Sequence, residues 1–413
     1  MNAPPLAPGA LAGVRVLDLS RVLAGPWAGQ LMADLGADVV KVERPGAGDD
    51  TRAWGPPWLA DVDGAATSEA AYYLSANRNK RSVTIDIGNP QGQALVRELA
   101  QQADIVLENF KVGGLAQYGL DYASLKQLNP RLIYCSITGF GQTGPYAARA
   151  GYDFLIQGMG GLMSVTGRPD GAAGEGPQKV GVALTDVMTG LYASVAVLAA
   201  LAHRERTGEG QHIDLALLDV QVACLANQAA NYLVGGTAPQ RMGNAHPNIV
   251  PYQDFPTADG YMIIAVGNDN QFAKFCATLG HADWAHDARF VTNAQRVQHR
   301  KVLVALIGGA TVLRNTAEWI TAMEAAGVPC GPINTIDKVF DDPQVQARGM
   351  RIELPHPVAG TVPLVANPIR MSASPVQYRQ APPTLGQHTA EVLGEWLNMD
   401  SAALAALQQE KIV

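Results

Sequence analysis

Cysteine and charged residues are both scarce in this chain, and each shortage narrows what the protein can be. The four cysteines among 413 residues are far apart and form no CxxC pair: Cys135, Cys224, Cys276 and Cys330. They offer neither a disulfide framework nor a zinc site, and they fit a reducing compartment. Charged residues make up 16% of the chain, and the net charge is −7. Nucleic acid is therefore not expected as a partner, because binding to a phosphate backbone needs a basic face.

Motifs typical of several other protein classes are also missing. The first ten residues, MNAPPLAPGA, contain neither a basic segment nor a continuous apolar core, so no secretory signal is predicted. The most apolar segment, residues 187–202, is predicted to be too short to span a bilayer. The turn SRVLAGPWAG lacks GxGxxG, which removes the main support for a nicotinamide-dependent dehydrogenase. We expect a cytoplasmic enzyme without membrane contact, bound metal or tightly bound cofactor.

Alternating strand-like and helix-like segments fill about the first 140 residues. Short apolar runs that end at turns predict buried strands at VRVLDLS (14–20), ADVVKVER (37–44), SVTIDI (82–87), DIVLENF (104–110) and LIYCSITGF (132–140). Segments with helical periodicity separate them, and the first begins near Pro26 and ends at Gly36. Repeated strand–helix–strand units predict a parallel, doubly wound α/β sheet.

The length of the chain and a later change in pattern predict two domains. After GGTAPQRMGNAHPN, the segment YQDFPTADGYMIIAV reads as a β-hairpin, and the C-terminal part closes with the amphipathic stretch TLGQHTAEVLGEWL. We predict a large Rossmann-like α/β domain at 1–215, completed by about 345–413. A linker helix at 216–235 leads to a small α+β domain at 236–330, and a return linker occupies 331–344.

A single carboxylate stands in the apolar stretch VALTDVMTGL. It belongs to Asp186, and Lys179 is the only Lys, Arg or His within ten positions of it. A buried carboxylate without partners costs free energy or shifts its pKa upward. The residues alone leave two interpretations open. Asp186 either caps the helix that begins here, or it is kept there as a reactive group.

Segments along nearly the whole chain share one family pattern. They include LAGVRVLDLSRVLAGPWAGQLMADLGADVVKVERPGAGDDTR, NRNKRSVTIDI, ADIVLENFKVGGLAQYGLDYASL, NPRLIYCSITGFGQTGPYAARAGYDFLIQGMGGLMSVTG, VGVALTDVMTGLYAS and GVPCGPINTIDKVFDDPQVQARGM. In this order they resemble the family III CoA-transferases, the family of formyl-CoA transferase and carnitine CoA-transferase. The stretches DVQVACLANQAANYLVGG, AHPNIVPYQDFPTADGYMIIAVGNDNQFAKFC and LGQHTAEVL look most like the branch that moves CoA from succinyl-CoA to glutarate.

The resemblance implies a nucleophilic role for Asp186. Its carboxylate would attack an acyl-CoA thioester, giving a mixed anhydride and then an aspartyl-CoA thioester. The small residues Ala183 and Gly190 are expected to leave space for the thioester. Unless it is strongly desolvated, the carboxylate is expected to be ionised at pH 7, helped by a helix N-terminus. The resemblance also implies an interlocked homodimer and a CoA thioester as substrate rather than as a bound cofactor.

The resemblance further implies two sets of contacts. The residues expected to line CoA are Val22, Leu23, Ala24, Arg44, Asn77, Arg78, Lys80, Asn109, Phe110, Lys111, Arg149 and Tyr152. The residues expected near the far carboxylate of a dicarboxylic acid are Arg241, Gly243 and His246. The residues themselves leave simpler alternatives open. Arg78 and the neighbouring Arg81 suit a solvated charged turn equally, and Arg241 suits an ordinary surface position.

Two competing functions are weighed against CoA transfer. A 2-methylacyl-CoA racemase on the same fold carries His in a GHD motif, whereas this chain has Gly151-Tyr152-Asp153. Tyr, with a pKa near 10, is a poor base at neutral pH, so racemisation is disfavoured. A non-catalytic CoA-binding protein would need no reactive carboxylate, and the intact VALTDVMTG motif disfavours that alternative. Transfer to another acid, such as itaconate, malate, oxalate, formate or carnitine, stays open.

Overall fold

The structure, a computed structural model, describes residues 8–413. Its strands are β1 Arg15–Asp18, β2 Asp38–Glu43, β3 Trp58–Ala60, β4 Ala66–Ala70, β5 Lys80–Thr84, β6 Ile105–Glu108, β7 Ile133–Thr138, β8 Gly167–Arg168, β9 Gly176–Pro177, β10 His212–Ala216, β11 Tyr252–Pro256, β12 Tyr261–Ala265, β13 Cys330–Pro332, β14 Arg351–His356 and β15 Gly360–Val365.

The α-helices follow in the same numbering by chain order. They are α1 Ala24–Asp34, α2 Ala71–Leu74, α3 Pro90–Gln102, α4 Tyr122–Leu128, α5 Asp153–Met159, α6 Leu162–Val165, α7 Leu184–Thr207, α8 Leu217–Ala223, α9 Ala226–Gly235, α10 Asp269–Leu279, α11 Asn293–Gln298, α12 Arg300–Thr311, α13 Thr316–Ala325, α14 Ile336–Asp341, α15 Pro343–Ala347, α16 Thr389–Leu397 and α17 Ser401–Gln409.

The described residues divide into two compact units. The large unit comprises the chain up to Leu162, then Lys179–Gly236 and Gln344–Val413, and the small unit comprises Met163–Gln178 and Thr237–Pro343. The predicted domain boundaries stay predictions, because compactness by itself does not identify a segment that folds independently.

A six-stranded parallel sheet forms the centre of the large unit, in the order β10-β7-β6-β1-β2-β5. The predicted parallel α/β sheet is thereby confirmed. The chain leaves β1 toward β2 on one side and later returns to pair β6 on the other. In open sheets of this kind, ligands bind outside the carboxyl ends of the strands where the strand order reverses. The fold therefore directs attention to the loops that follow β1 and β6.

Two apolar layers cover the sheet, one on each face. One layer joins the sheet to α3, α16 and α17, and its buried side chains include Leu17, Val40, Val106, Leu99, Leu393 and Trp396. The other joins the sheet to α1 and α7, and it includes Val16, Val39, Met32, Ala193 and Val197. Neighbouring residues of β1 belong to opposite layers because successive side chains of a strand point to opposite faces. The C-terminal helices thus belong to the core of the large unit.

Helix α7 packs on α1 across a very close approach. A Cβ atom at Gly190 would lie 2.8 Å from the carbonyl oxygen of Ala24, so no larger residue fits without a shift. This corrects the expectation that Gly190 makes room for a thioester, because its hydrogen faces another helix. The close approach also holds the first turns of α1 and α7 side by side at one end of the sheet.

One helix of residues 8–413, α7, is long and apolar enough to cross a membrane by length and composition. It has 24 residues, and an 18-residue window within it has a mean hydropathy of 1.6. The expectation that this segment is too short is wrong, because the helix extends beyond residues 187–202 at both ends. Its buried face carries Asp186 and Arg204 and contacts α1 and β7.

Buried ion pairs link the strands on the β2–β5 side of the sheet. The Lys80 ammonium lies 3.0 Å from Asp18, and the Lys41 ammonium lies 2.9 Å from Asp49, with all four side chains fully buried. Lys41 also donates to the backbone carbonyl of Ser20. A buried charge is tolerated only when it is paired and hydrogen-bonded. These pairs therefore tie the end of β1 to β2, to β5 and to the loop after β2.

The small unit has its own core around an antiparallel sheet in the order β11-β12-β13. Aromatic side chains from its strands and helices fill this core, among them Phe255, Phe272, Phe275, Phe290 and Trp319. A separate hairpin, β8–β9, lies in the inserted stretch of residues 163–178.

Replacing Lys80 with methionine should lower the free energy of unfolding by about 3–5 kcal/mol, because Asp18 would stay buried without the ammonium that contacts it. Urea-induced unfolding followed by circular dichroism measures this change. Arg351→Met is the matched control, since it removes an exposed pair with Glu353 and should cost less than about 1 kcal/mol. Equal stability of Lys80→Met and the wild-type protein would contradict the role of this pair.

Candidate active site

A cavity of about 180 Å³ opens at the carboxyl ends of the sheet strands, within the large unit. Its walls are the segments 21–24 after β1, 109–112 after β6, 137–139 at the end of β7, and 147 and 149–152 before α5, together with Asp50, Asp186 and Leu217. This is the place where the strand order reverses. The cavity is therefore at the position that the sheet topology favours for a ligand.

Nine residues of the predicted site line this cavity. They are Val22, Leu23, Ala24, Asn109, Phe110, Lys111, Arg149, Tyr152 and Asp186. The loop 147–152 reaches the end of β7 because two glycines meet there. A Cβ on Gly139 would lie 2.5 Å from the Cα of Gly151. The structure thus brings together residues that are up to 164 positions apart, as Val22 and Asp186 are in the chain.

Four other predicted CoA contacts do not line the cavity. The Arg78 guanidinium is buried in a bidentate pair with Asp34, at 2.9 and 2.5 Å. The Lys80 ammonium is buried on Asp18 and on the side chain of Asn77. Arg44 is exposed after β2. The buried side chains hold the fold together here, because their polar atoms are used by other groups of the large unit.

The alternative for Arg78 and Arg81, a solvated charged turn, is also wrong. Arg81 has a buried side chain that pairs with Asp38 at 2.6 Å and with two glutamates of α16, Glu391 and Glu395. Both arginines therefore connect parts of the large unit that are distant in sequence. A basic cluster in sequence is no guide to side-chain direction, since neighbouring residues of a strand point to opposite faces.

Asp186 does not cap its helix. Helix α7 begins at Leu184 after the N-cap residue Ala183, so Asp186 is the third helical residue. The amide groups of Thr185 and Asp186 instead donate to the Oδ1 atom of Asp153, at 2.8 and 3.3 Å. The capping interpretation of Asp186 is wrong, because the Asp153 carboxylate of α5 accepts the hydrogen bonds from the first amides of α7.

Asp186 lines the cavity, although only 9% of the residue's surface is exposed. Within residues 8–413 no backbone or side-chain group donates a hydrogen bond to its carboxylate oxygens. Burial raises the pKa of Asp186 to about 7, and the negative charge of Asp153 raises it further. Asp186 is thus the strongly desolvated case, which the sequence-based expectation of ionisation at pH 7 excepted.

Three cations line the same cavity, Arg21, Lys111 and Arg149. The Arg149 guanidinium lies over the rings of Tyr146 and Phe140, 4.6 and 5.1 Å from their centroids. The Arg21 guanidinium lies 5.6 Å from the Phe110 ring centroid and pairs with Asp50 at 3.0 Å. Aromatic faces hold guanidinium groups in place while leaving their N–H donors available. The wall can therefore bind anionic groups such as phosphates and carboxylates.

Arg21 and Asp49 were missed by the sequence interpretation. Arg21 directly precedes the predicted Val22 in SRVLAGP, and this position could have shown that Arg21 belongs to the site. Nothing in the sequence marks Asp49 as a site residue, because its role depends on contacts formed only in the fold. Although burial opposes ionisation, the Lys41 ammonium and the Thr51 donors lower the pKa of Asp49 to about 2.

Asp49 anchors a strained point of the cavity wall. Val22 has a φ of 72°, a left-handed conformation that β-branched residues rarely adopt. Its amide donates to both carboxylate oxygens of Asp49, at 3.2 and 3.3 Å. Strain of this kind persists only when surrounding contacts hold it. The Lys41–Asp49 pair therefore helps shape the loop that lines the cavity.

Tyr72 is a further residue near the carboxylates that the sequence did not indicate. Burial raises the pKa of its phenol, and the negative charges of Asp186 and Asp153 raise it further. Its ring packs edge-on against Trp54, with centroids 5.1 Å apart. The phenol therefore keeps its proton at neutral pH and is available as a hydrogen-bond donor.

The three residues predicted near the acid substrate lie in the small unit. The Arg241 Nε donates to the carbonyl of Arg168, and its guanidinium pairs with Asp170. Gly243 has a φ of 63°, which requires glycine-like freedom. The His246 Nδ1 accepts from the amide of Asn248, and its ring packs against Tyr252. Their contact with an acid stays a prediction.

No cluster of three or more His, Cys, Asp or Glu side chains in residues 8–413 is placed to hold a metal ion. The described cavity is lined by the Asp186 carboxyl group, by the Arg21–Asp50 pair and by two further cations, Lys111 and Arg149, and the Tyr72 phenol lies near Asp186. Chemically, that set suits attack by a carboxylate on an electrophilic carbonyl of an anionic substrate.

Comparison with known proteins agrees with this chemistry. The family model described as CoA-transferase family III matches residues 11–389. The chain is 56% identical over 393 residues to a succinate–glutarate CoA-transferase of Agrobacterium fabrum, covering 95% of this chain and 97% of that protein. It is 46% identical to the succinyl-CoA:glutarate CoA-transferase of Mus musculus, covering 96% and 88% of the two chains.

A solved structure is similar as well. The crystal structure of a CAIB/BAIF family protein from Brucella suis superposes with a TM-score of 0.83 and 53% identity. The match covers 94% of this chain and 100% of that one. The similarity thus extends over both compact units rather than over the parallel sheet alone.

Replacing Asp186 with asparagine should stabilise the protein, and by more at pH 8 than at pH 5. The carboxyl pKa is about 7 in the folded state and 3.8 as its reference value. Between these values the folded state holds a proton that the unfolded chain has lost, so wild-type stability falls as pH rises through this window. A shift of this size corresponds to about 4 kcal/mol, and the asparagine variant lacks that loss.

Urea unfolding at pH 5 and at pH 8 measures the difference for both proteins. Asp400→Asn is the control, because that carboxylate caps an exposed helix by accepting from Ala403 and should leave the pH dependence unchanged. Parallel stability curves for Asp186→Asn and wild type would contradict the raised pKa.

Proposed function

We propose that this chain, which belongs to CoA-transferase family III, moves CoA from succinyl-CoA to a dicarboxylic acid of the size of glutarate through covalent intermediates on Asp186. Its activity as a CoA-transferase follows from the family. The donor, the acceptor and the residue roles are our proposal. The observation that carries it is the Asp186 carboxyl group, buried at the cavity wall with no donor of its own.

The proposed reaction begins with the ionised Asp186 carboxylate. It attacks the thioester carbonyl of succinyl-CoA, CoA leaves as a thiolate, and a mixed anhydride forms between succinate and Asp186. The thiolate attacks the Asp186 carbonyl of this anhydride, which releases succinate and forms an aspartyl-CoA thioester. A covalent carboxylate of this kind divides one difficult exchange into easier steps.

The acceptor acid then reverses these steps. Its carboxylate attacks the aspartyl-CoA carbonyl, releases the thiolate and forms a new mixed anhydride. The thiolate attacks the carbonyl that belongs to the acceptor, so the new acyl-CoA leaves and the Asp186 carboxylate is restored. One thioester replaces another and the overall free-energy change is near zero, so no ATP is needed.

The surroundings of Asp186 support these roles. Apolar walls such as Leu23 and Leu217 keep water away from the anhydride, which would otherwise hydrolyse. Arg21, Lys111 and Arg149 supply positive charge for the phosphates of CoA. The proposal includes no tightly bound cofactor and no metal. The pKa of about 7 implies that kcat/KM rises with pH through this value, because only the ionised carboxylate attacks.

Glutarate is proposed as the acceptor because two similar proteins carry that acid in their names. We assign its far carboxylate to Arg241 and His246, next to the turn at Gly243. Arg241 already pairs with Asp170, so an incoming carboxylate would exchange with that partner. Bidentate pairing with a guanidinium is the usual way in which proteins bind a carboxylate.

The assembly and the location are proposed with the function. Large apolar side chains are exposed on the large unit, including Tyr192 and Val195 of α7 and Leu233 and Val234 of α9. Exposed apolar surface of this kind favours a homodimer, which sedimentation velocity at micromolar concentration tests.

All four cysteines are unpaired, which supports a reducing compartment such as the cytoplasm. The expectation of no membrane contact is retained as part of the proposal.

Mass spectrometry of the CoA products tests the proposed function directly. The protein is incubated with succinyl-CoA and, separately, glutarate, itaconate, malate, oxalate, formate or carnitine. We expect glutaryl-CoA to dominate and its rate of formation to fall about 1,000-fold or more with Asp186→Asn, which removes the nucleophile. Another dominant acyl-CoA would contradict the choice of acid, and an active Asp186→Asn would contradict the mechanism. Deuterium at C2 of a 2-methylacyl-CoA in heavy water would favour racemisation instead.

Replacing Arg241 with glutamine should raise the KM for glutarate about tenfold or more, because a charge-assisted bond of roughly 1.5–3 kcal/mol is lost. The KM for succinyl-CoA should change less than that for glutarate. Steady-state kinetics with both substrates varied measures the two effects. Arg289→Gln is the matched control, since Arg289 is an exposed arginine of the same unit that pairs with Asp287. Equal KM values for glutarate in both variants would remove Arg241 from the acid site.

A further inference from the structure

The first turn of α7 is held by a carboxylate that belongs to another helix. Ala183, the N-cap residue, has no side chain that could accept from the first amides. Asp153, at the start of α5, supplies its Oδ1 atom to the amides of Thr185 and Asp186, at 2.8 and 3.3 Å. Exposed helix N-termini usually receive such bonds from their own N-cap residue. Here the cap comes from 33 positions earlier in the chain.

Gln157, one helical turn after Asp153, completes this support. Its Nε2 atom donates to the Oδ2 of Asp153 at 2.7 Å, and its Oε1 atom accepts from the amide of Val180 at 2.9 Å. Gln157 is fully buried, so these bonds are protected from water. Together Asp153 and Gln157 hold the chain from Val180 to Asp186 at both ends against α5.

This arrangement determines which hydrogen-bond donors and charged groups lie near the Asp186 carboxylate. The two amides nearest to it at the helix start already donate to Asp153, so the local backbone gives its oxygens no donor. The groups that face Asp186 electrostatically are Asp153 of α5 and the phenol of Tyr72 of α2. The cations of the same cavity are Arg21, Lys111 and Arg149.

We propose that Asp153 is a positioning residue for the nucleophile: it holds the first turn of α7 by accepting from the amides of Thr185 and Asp186, and it thereby leaves the Asp186 carboxylate without internal hydrogen bonds and beside a second negative charge. This proposal rests on the proposed function of Asp186. A carboxylate that has no donor attacks a carbonyl more readily, because no hydrogen bond has to be broken in the transition state. The cost is incomplete ionisation at neutral pH.

The geometry also explains why two carboxylates share this place. If Asp153 served only to cap α7, a neutral acceptor such as Asn or Ser would do so without opposing the ionisation of its neighbour. A like charge close to Asp186 disfavours a second negative charge. The rise in the pKa of Asp186 agrees in direction with this geometry.

Asp153→Asn is the decisive variant, because it keeps an acceptor oxygen for the two amides and removes the charge. We expect the acid limb of kcat/KM for CoA transfer to move to lower pH by about one unit. We also expect kcat on the high-pH plateau to fall about threefold, since a less basic nucleophile attacks more slowly, with a rate that changes by about half a log unit per pKa unit. A structural role alone would lower activity equally at all pH values.

Two further variants make the test independent of how Asp153→Asn folds. Asp153→Ser also keeps an acceptor oxygen and removes the charge, and it should move the acid limb in the same direction as Asp153→Asn. Asp400→Asn removes a carboxylate that caps a different helix, α17, by accepting from the amide of Ala403, and it should leave the pH profile of CoA transfer unchanged. Circular dichroism of each variant establishes that it is folded, and ¹³C NMR of labelled aspartate carboxyls reports the pKa of Asp186 directly.

The outcomes separate this proposal from the proposed function. An Asp153→Asn protein with an unchanged acid limb and an unchanged Asp186 pKa overturns the positioning role, whatever its rate. If Asp186→Asn is inactive in the same assay, the proposed mechanism survives that loss. If Asp186→Asn transfers CoA at the wild-type rate, the proposed mechanism through Asp186 is overturned, and the positioning role of Asp153 is overturned with it.

Discussion

A desolvated carboxyl group at the start of α7 is the constraint on which the active cavity depends. Burial without a donor makes Asp186 basic, and it also destabilises the fold once the group ionises. The surrounding structure offsets this cost through the packing of α7 on α1 and through the bonds of Asp153 and Gln157 to the chain before it. The reactivity that we propose for Asp186 would therefore be a property of the contacts of α7 rather than of the aspartate alone.

The loop 21–24, which also lines the cavity, depends on a different set of buried charges. The Lys41–Asp49 and Lys80–Asp18 pairs tie the end of β1 to β2 and β5, and Asp49 also holds the strained backbone at Val22. Carboxylates in two different electrostatic environments thus lie at one cavity. Carboxylates that are paired with lysine support its frame, whereas the carboxylate that has no cation in contact faces its interior.

Much of the fold could be predicted because it depends on local patterns. Apolar runs and helix boundaries in the first 140 residues indicated the strands of the parallel sheet, and the order of the segments implied its direction. The length of α7 was underestimated, because both of its ends are stabilised by contacts that lie outside the segment. Asp153 accepts from the amides of the first turn, and Asp104 pairs with Arg204 of the last turn. The basic stretch around Arg78 and Lys80 also misled, since the ion pairs that bury these side chains come from α1 and β1.

By itself, the sequence determined the parallel α/β sheet, the family pattern and the identity of the one carboxylate in VALTDVMTGL, because periodicity and motif order are properties of the chain. The tertiary structure alone decided the state of that carboxylate. Whether Asp186 caps its helix, and at what pH it ionises, depends on the absence of nearby donors and on Asp153, which approaches from another helix. Burial and charge proximity act through space, so a pattern along the chain contains neither of them.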